Sequence, residues 1–195
     1  MKIIKRILLV IVVLIGVAAI IGFMMPKDRH TERSIVVQAS PDVVYAQVDN
    51  LKSWDSWSPW KEIDPNAKME YSNPASGTGS WYTWSSDNRE VGHGKLTVEE
   101  SVPGKMVKTR VNFEDMTPSY GIFSFTPEGT GTKVTWSFDA SLGNNPFFRL
   151  MGPMMDKMMG QTFEKGLAKM KTVSESMPAV APATVVASTD SVSVK

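Results

Sequence analysis

MMDKMMGQTFEKGLAKMKTV (Met154–Val173) is the stretch that decides the fold of this chain. Apolar or small residues recur along it at helical spacing, and charged or polar residues recur between them. The apolar stripe comprises Met155, Met159, Phe163, Gly166, Met170 and Val173, and the polar face comprises Lys157, Gln161, Glu164, Lys165 and Ala168. An amphipathic helix of about twenty residues must bury its apolar side, so we expect a sheet beneath it. Gly152-Pro153 predicts an interruption between this helix and a short turn starting at Asn144–Pro146.

The residues upstream of the helix predict that sheet. Val134, Trp136 and Phe138 share one face of a strand, and polar residues alternate with them. Short turns rich in Gly, Pro, Asn and Asp separate the candidate strands, which therefore pair with their neighbours in an antiparallel meander. The predicted strands are Thr31–Gln38, Lys68–Tyr71, Ser80–Ser85, Glu90–Ser101, Lys105–Phe113, Ser119–Pro127 and Thr132–Ser141. One face of this sheet is apolar, and the last helix is its predicted cover.

A second helix is predicted between the first two strands. Ser40-Pro41 suits a helix start, and Val44, Val48 and Leu51 give the helix one apolar face. Three tryptophans follow within seven residues: Trp54, Trp57 and Trp60. They either pack under the rim of the sheet, gate a cavity or touch a membrane interface.

The N-terminus carries an unbroken apolar run from Ile7 to Met25. At about 1.5 Å per residue these nineteen positions form a helix of roughly 28 Å, close to the ~30 Å hydrocarbon core of a bilayer. The run ends at Pro26 without the Ala-x-Ala site of a cleaved signal peptide, so we predict an uncleaved anchor, with a cleaved signal as the alternative. Lys2, Lys5 and Arg6 precede it and favour a cytoplasmic N-terminus, which places the domain outside the cell membrane.

These observations divide the chain into three parts. Residues 1–30 form the predicted transmembrane anchor and residues 31–176 form one folded domain. Residues 177–195 are rich in Ser, Thr, Ala and Val without a pattern that buries a face, and are predicted to be a disordered tail.

The composition argues against several classes of function. The chain has 195 residues with a formal net charge of +1 and interspersed charges, so binding to nucleic acid is not expected. It contains no cysteine, and therefore neither disulfides nor thiol chemistry. The motifs of serine hydrolases, zinc proteases and nucleotide-binding loops are absent, and two histidines, His30 and His93, cannot form a histidine-rich metal site. We therefore predict no catalytic residue, no metal ion and no cofactor, and a solvent-facing role for His93.

The order of these elements resembles a known superfamily. A strand, short helices, a six-stranded meander and a long C-terminal helix resemble the α+β helix-grip fold of the START/Bet v 1-like (SRPBCC) superfamily, and more narrowly its membrane-anchored bacterial members labelled polyketide cyclase/dehydrase-like. The matching segments, which lie within 31–172, are 32–37, Ser40-Pro41, 51–54, 57–60, 131–136, 155–158 and 163–167. The resemblance implies a sheet curled around the long helix, with a ligand cavity between them.

The predicted cavity combines the inward strand positions, the tryptophan segment and the methionines of the last helix. Methionine side chains suit an adaptable apolar wall because they repack around ligands of different shape. The predicted lining residues are Trp60, Tyr82, Trp84, Val111, Phe113, Trp136, Phe138, Met151, Met155, Met158 and Met159. The sequence leaves open which of four polar residues, Glu90, His93, Arg110 and Asp139, point inward.

Three hypotheses of function follow. The first is a membrane-anchored domain that binds an apolar or amphipathic small molecule or a lipid, and it rests on the fold and on the absence of catalytic motifs. The second, implied by the family resemblance, is a cyclase or dehydratase acting on a polyketide-like substrate. The third is a co-chaperone-like module that contacts an unidentified protein through exposed Trp57 or Trp81.

Overall fold

A computed structural model describes residues 2–113 and 117–177, and shows an N-terminal helix followed by an α+β domain. The helices are α1 (Lys2–Met24), α2 (Pro41–Asp49), α3 (Pro59–Ile63) and α4 (Pro146–Glu175), with a 3-10 helix at Leu51–Ser56. The strands are β1 (Asp28–Val37), β2 (Lys68–Tyr71), β3 (Trp81–Ser85), β4 (His93–Val102), β5 (Met106–Phe113), β6 (Ser119–Glu128) and β7 (Gly131–Ser141). The predicted tail lies outside the described residues, apart from Met177.

The strands form one seven-stranded antiparallel sheet in the order β1-β7-β6-β5-β4-β3-β2. Strands β2 to β7 follow each other as a meander, and β1 returns to pair with β7 along its whole length, from Asp28 opposite Ser141 to Val37 opposite Thr132. A register shift between Val98 and Glu100 marks an irregularity in β4, a feature that bends a strand. The curved sheet and the long C-terminal helix confirm the predicted helix-grip architecture.

Aromatic side chains fill the core between the sheet and α4. Trp136 stacks on Phe163 with ring centroids 3.9 Å apart, and on Phe123 at 4.7 Å. Trp57 is fully buried against both Phe123 and Trp136. Aromatic pairs of this kind contribute about 0.5–1.5 kcal/mol each beyond the burial of their area.

Two of the three clustered tryptophans belong to this core. Trp54 and Trp57 are buried, and their indole N–H groups donate to the carbonyl oxygens of Val48 at 2.8 Å and Gln47 at 3.0 Å. The end of α2 therefore holds both rings under the sheet. Trp57 is not an exposed contact, so the hypothesis that it binds a protein partner is wrong on this point.

Helix α4 is longer than the sequence predicts, because Pro153 lies inside it and does not end it. Pro153 has no N–H for the carbonyl oxygen of Arg149, four residues earlier. The guanidinium of Arg29, from β1, donates to that oxygen at 3.4 Å and also forms an ion pair with Asp156. Gly152 leaves room for this guanidinium, since a Cβ there would overlap it. A partner from the neighbouring strand thus replaces the missing helical hydrogen bond.

Helix α1 stands apart from the core. It is 23 residues long, its most apolar window has a mean hydropathy of 3.2, and only 6% of that window is buried. Its length and composition suit a membrane span, and a signal sequence has the same properties. Its C-terminal end meets the domain, where Gly22 packs tightly against Pro146 at the start of α4.

Candidate functional site

A cavity of about 280 Å³ lies between the inner face of the sheet and the helices α3 and α4. Its lining is predominantly apolar and aromatic. This volume is near the lower end of the ~300–1,000 Å³ found for small-molecule sites. The cavity therefore suits a compact apolar molecule or part of a longer one.

The strands supply their inward-facing side chains to the cavity. Tyr82 and Trp84 come from β3, Val111 and Phe113 from β5, and Phe138 from β7, as the alternation of a pleated strand requires. The intervening residues face outward: Trp81, for example, is only half-buried. The inward positions of the sheet were therefore readable from the sequence.

The helical wall of the cavity depends on the close approach of α3 and the sheet to α4. Trp60 of α3 packs edge-on against Trp136 and Phe163, with centroid distances of 5.7 and 6.5 Å. A Cβ at Gly166 would lie 3.0 Å from Cδ of Pro59 and 3.1 Å from the Trp136 ring, so glycine lets α3 and the sheet approach α4 here. Met159, one turn before Phe163, completes this wall.

The structure brings most of the predicted lining residues together. Those on the cavity are Trp60, Tyr82, Trp84, Val111, Phe113, Trp136, Phe138 and Met159. Met151, Met155 and Met158 are instead 50%, 41% and 56% exposed and do not line it. Helix α4 turns its Met159 and Phe163 side toward the sheet. Met151 and Met158 lie about 80° and 100° around the helix from Met159, whereas Met155 shares the side of Met159 one turn earlier but lies outside the cavity lining. Whether any lining residue binds a ligand remains a prediction.

Several lining residues were not predicted. They are Trp54, Leu96, Thr109, Gly121 and Phe163 inside, with Met69, Ala67 and Val91 nearer the edge. The inward position of Thr109 was predictable from strand alternation, because Thr109 lies between the inward positions Val107 and Val111. No local pattern marks Ala67 or Val91, because both lie in connections outside the strands.

The Tyr82 hydroxyl is one of the polar groups that line the cavity. Burial raises the pKa of Tyr82 far above its ordinary value, so its side chain is neutral at physiological pH. The Tyr82 hydroxyl makes no hydrogen bond to any described residue, whereas the Thr109 hydroxyl, also in the lining, donates to the Gly121 carbonyl at 3.2 Å. Burial and nearby Asp55 raise the pKa of Tyr71 to about 12, and the Tyr71 hydroxyl donates to that carboxylate at 3.1 Å.

Charged residues line the outer end of the cavity. They are Asp55, Lys61, Asp64 and Glu90. Asp64 accepts hydrogen bonds from the Ser86 hydroxyl at 2.5 Å and the Asn66 amide at 2.9 Å, and these lower its pKa. Asp64 is thus a carboxylate at neutral pH, not a proton donor. An amphipathic molecule with its polar end at this rim and its apolar body inside matches the distribution of groups.

The structure shows which of the four polar residues considered in the sequence analysis line the cavity and which do not. Glu90 lines the cavity at its rim. Arg110 faces outward toward Glu99 at 3.4 Å, Asp139 is bound to His30 at 2.7 Å, and His93 is exposed. Within residues 2–113 and 117–177, no group of three or more His, Asp or Glu side chains is placed to hold a metal ion.

Comparisons with known proteins agree with this geometry. A sequence model of the family described as "Polyketide cyclase / dehydrase and lipid transport" matches residues 28–175. A comparison with curated proteins finds no match.

Solved structures share the fold at low sequence identity. A Staphylococcus aureus protein of unknown function, SA2116, superposes with a TM-score of 0.57 at 18% identity, covering 76% of this chain and 96% of its own. Ara h 8.0201 gives 0.56 at 9% identity, covering 77% and 99%. StfQ, the di-domain ARO/CYC from the steffimycin biosynthetic pathway, gives 0.59 at 14% identity, covering 76% of this chain and 51% of StfQ. This chain therefore spans about half of StfQ.

Proposed function

We propose, since this chain belongs to the polyketide cyclase / dehydrase and lipid transport family, that its domain binds a hydrophobic small molecule or lipid at a membrane. The cavity carries this proposal. Its lining consists mainly of aromatic and aliphatic side chains, includes the Tyr82 hydroxyl, which makes no hydrogen bond to a described residue, and carries charged side chains at the rim. Such a lining gains free energy chiefly by removing apolar ligand surface from water.

The membrane part of the proposal rests on α1. The apolar run Ile7–Met25 is long enough to span the hydrocarbon core, and almost none of α1 is covered by the domain. Lys2, Lys5 and Arg6 then lie on the cytoplasmic side, and the domain lies on the opposite side of the cell membrane.

The binding proposal is tested by extracting the ligand from the purified protein. The full-length chain is isolated from membranes in detergent, and its organic extract is analysed by mass spectrometry. We expect a stoichiometric hydrophobic compound from the natural sequence. Val111→Trp, which fills the cavity, should lose this compound, whereas Thr97→Trp, which adds the same ring to the outward face of β4, should retain it.

The outcome that contradicts the proposal is equally specific. Equal amounts of the compound with both variants would place it outside the cavity, for example as lipid bound to α1. An extract without any specific compound, together with unchanged thermal stability on adding hydrophobic compounds, would also reject a binding function.

A further inference from the structure

We propose that the N-terminal half of α4 is a membrane-docking surface that lies in the lipid interface beside α1, an inference that rests on the proposed anchoring by α1. This docking surface consists of Phe147, Phe148, Met151, Met154, Met155 and Met158. Each of these side chains is between 41% and 59% exposed. Outside α1, nine large apolar side chains of the described residues are exposed, and six of the nine are these.

The six residues form one continuous stripe. Their spacing along the helix is 0, 1, 4, 7, 8 and 11, which covers about 120° of the helix circumference at 100° per residue. Over eleven residues the stripe is roughly 16 Å long. Beyond Met158 the same side of α4 becomes polar, because the next residues on it are Thr162 and Lys165. The exposed apolar surface is thus confined to the half of the helix nearest α1.

The contacts between α1 and α4 place this surface at the level of the bilayer. Gly22 of α1 is buried against Pro146, and a Cβ at Gly22 would overlap the carbonyl oxygen of Pro146. Arg149 reinforces the junction, since its guanidinium lies 6.0 Å from the Phe23 ring centroid and donates to the Phe23 carbonyl at 3.4 Å. Gly22 lies three residues before the end of the apolar run, so α4 begins at about the boundary of the hydrocarbon core.

The connection to the sheet keeps the domain at that depth. Only residues 25–27 separate the end of α1 from β1. Three extended residues reach at most about 10 Å. The Leu142 amide also donates to the carbonyl of Lys27 at 2.8 Å and extends the pairing of β1 to this connection. The stripe therefore cannot move far from the lipid surface while α1 spans the membrane.

A lipid interface is the occupant that this arrangement fits. Amphipathic helices lie in the interface with their apolar side about 5–10 Å deep, and phenylalanine and unbranched methionine side chains adapt to disordered acyl chains. Lys157, next to the stripe, is exposed and suits the headgroup layer. Met159, directly after Met158, lines the cavity, so docking brings the cavity wall to the bilayer surface.

The absence of cysteine makes the test direct. Met151→Cys, Met154→Cys and Met158→Cys are made in the full-length chain and labelled with an environment-sensitive fluorophore. Each variant is reconstituted into phosphatidylcholine–phosphatidylglycerol vesicles with or without nitroxide-labelled acyl chains. We expect emission shifted to shorter wavelength and quenched by the nitroxide lipid at all three positions. Glu164→Cys, exposed on the other side of α4 about 140° around the helix from the middle of the stripe, should show neither effect.

Ile11→Cys, in the middle of α1, separates this inference from the anchoring proposal. Quenching at Ile11→Cys without quenching at the methionine positions would overturn the docking surface and leave the anchor in place. No quenching at Ile11→Cys would overturn both. Equal quenching at the methionine and control positions would show a helix without a preferred face, and protection from aqueous iodide without lipid quenching would indicate a protein occupant; both results overturn the inference. None of these readouts depends on a ligand in the cavity.

Discussion

Tyr82 is the residue from which the chemistry of the cavity is most easily tested. Its hydroxyl lacks a hydrogen-bond partner among the described residues, so a ligand hydroxyl can supply one. 2-Naphthol and naphthalene differ by one hydroxyl and are simple probes. We expect Tyr82→Phe to weaken binding of 2-naphthol by about 0.5–1.5 kcal/mol, roughly two- to thirteenfold in Kd, without changing the Kd of naphthalene. Equal losses for both probes in titration calorimetry would contradict a polar role for this hydroxyl.

His30 provides a second test at the level of single residues. Its Nδ1 lies 2.7 Å from the Asp139 carboxylate, and this hydrogen bond raises the pKa of His30 above 6.5. A raised pKa in the folded state means that the pair stabilises the fold fully below pH 6.5. The stabilisation is lost as the pH rises through the raised pKa. We expect Asp139→Asn to lower the pKa of His30 in an NMR titration, with His93→Gln used to assign the signals.

The result that contradicts this assignment is an unchanged His30 titration in Asp139→Asn. In that case Glu32, whose carboxylate is 3.7 Å from Nε2, would be the partner that matters. The junction of β1 with β7 would then lack the pH dependence described here.

The methionines of α4 show what could not be predicted from the sequence, namely which apolar side of the helix the sheet covers. Met158 and Phe163 are both apolar positions of α4 and lie about 140° apart around the helix at 100° per residue. One sheet cannot cover both sides, and no local rule says which it covers. The choice depends on contacts distant in sequence, including Arg29 at Gly152 and Arg33 at Gly160. The inward sides of the strands were predictable because a pleated strand offers only two faces.

At the level of elements, α4 depends on β1 for its continuity. Pro153→Ala restores the missing N–H, and we expect it to raise the free energy of unfolding by up to about 3 kcal/mol. Arg29→Leu leaves the Arg149 carbonyl without its partner and should lower that free energy by about 1–3 kcal/mol. The two changes should couple. With Pro153→Ala present, the decrease in the free energy of unfolding caused by Arg29→Leu should be smaller by at least about 0.5 kcal/mol.

Arg33→Leu is the matched control for this cycle. Arg33 follows Arg29 on β1, donates to Glu164 at 2.6 Å and lies against Gly160, away from Pro153. In denaturant titrations in detergent, Arg33→Leu should lower the free energy of unfolding by the same amount with Pro153 and with Pro153→Ala. Coupling of equal size for both arginines would mean that Pro153 acts on the whole helix and not through the Arg149 carbonyl.

The same helix shows why element boundaries are harder to predict than elements. Strands β5 and β7 were recognisable because alternation and turn residues act over a few neighbouring positions. Pro153 predicts a break by the same local rule, but an arginine from the first strand satisfies the freed carbonyl. A compensating contact between residues so distant in sequence cannot be predicted from the local sequence pattern.

At the scale of the whole molecule, the proposed anchoring by α1 is tested by the side of the membrane on which the domain lies. In the proposed topology Lys2, Lys5 and Arg6, which precede the apolar run, lie in the cytoplasm, and the three-residue connection would keep the domain close to the opposite surface. In a chain without natural cysteine, Asp87→Cys in an exposed turn and Lys2→Cys at the other end report the two sides. We expect a membrane-impermeant maleimide to label Asp87→Cys in intact bacterial cells and Lys2→Cys only after permeabilisation.

The opposite labelling pattern would place the domain in the cytoplasm, and labelling of neither variant before lysis would do the same. A shorter Asp87→Cys protein lacking α1 would instead identify α1 as a cleaved signal sequence. The position matters physically, because the proposed anchor would hold the start of β1 within about 10 Å of the bilayer, and the domain would then meet hydrophobic molecules that are concentrated in lipid. Under the proposed binding function even modest affinity would then be enough to fill the cavity, and its volume of about 280 Å³ would limit which of those molecules, or which part of them, enters.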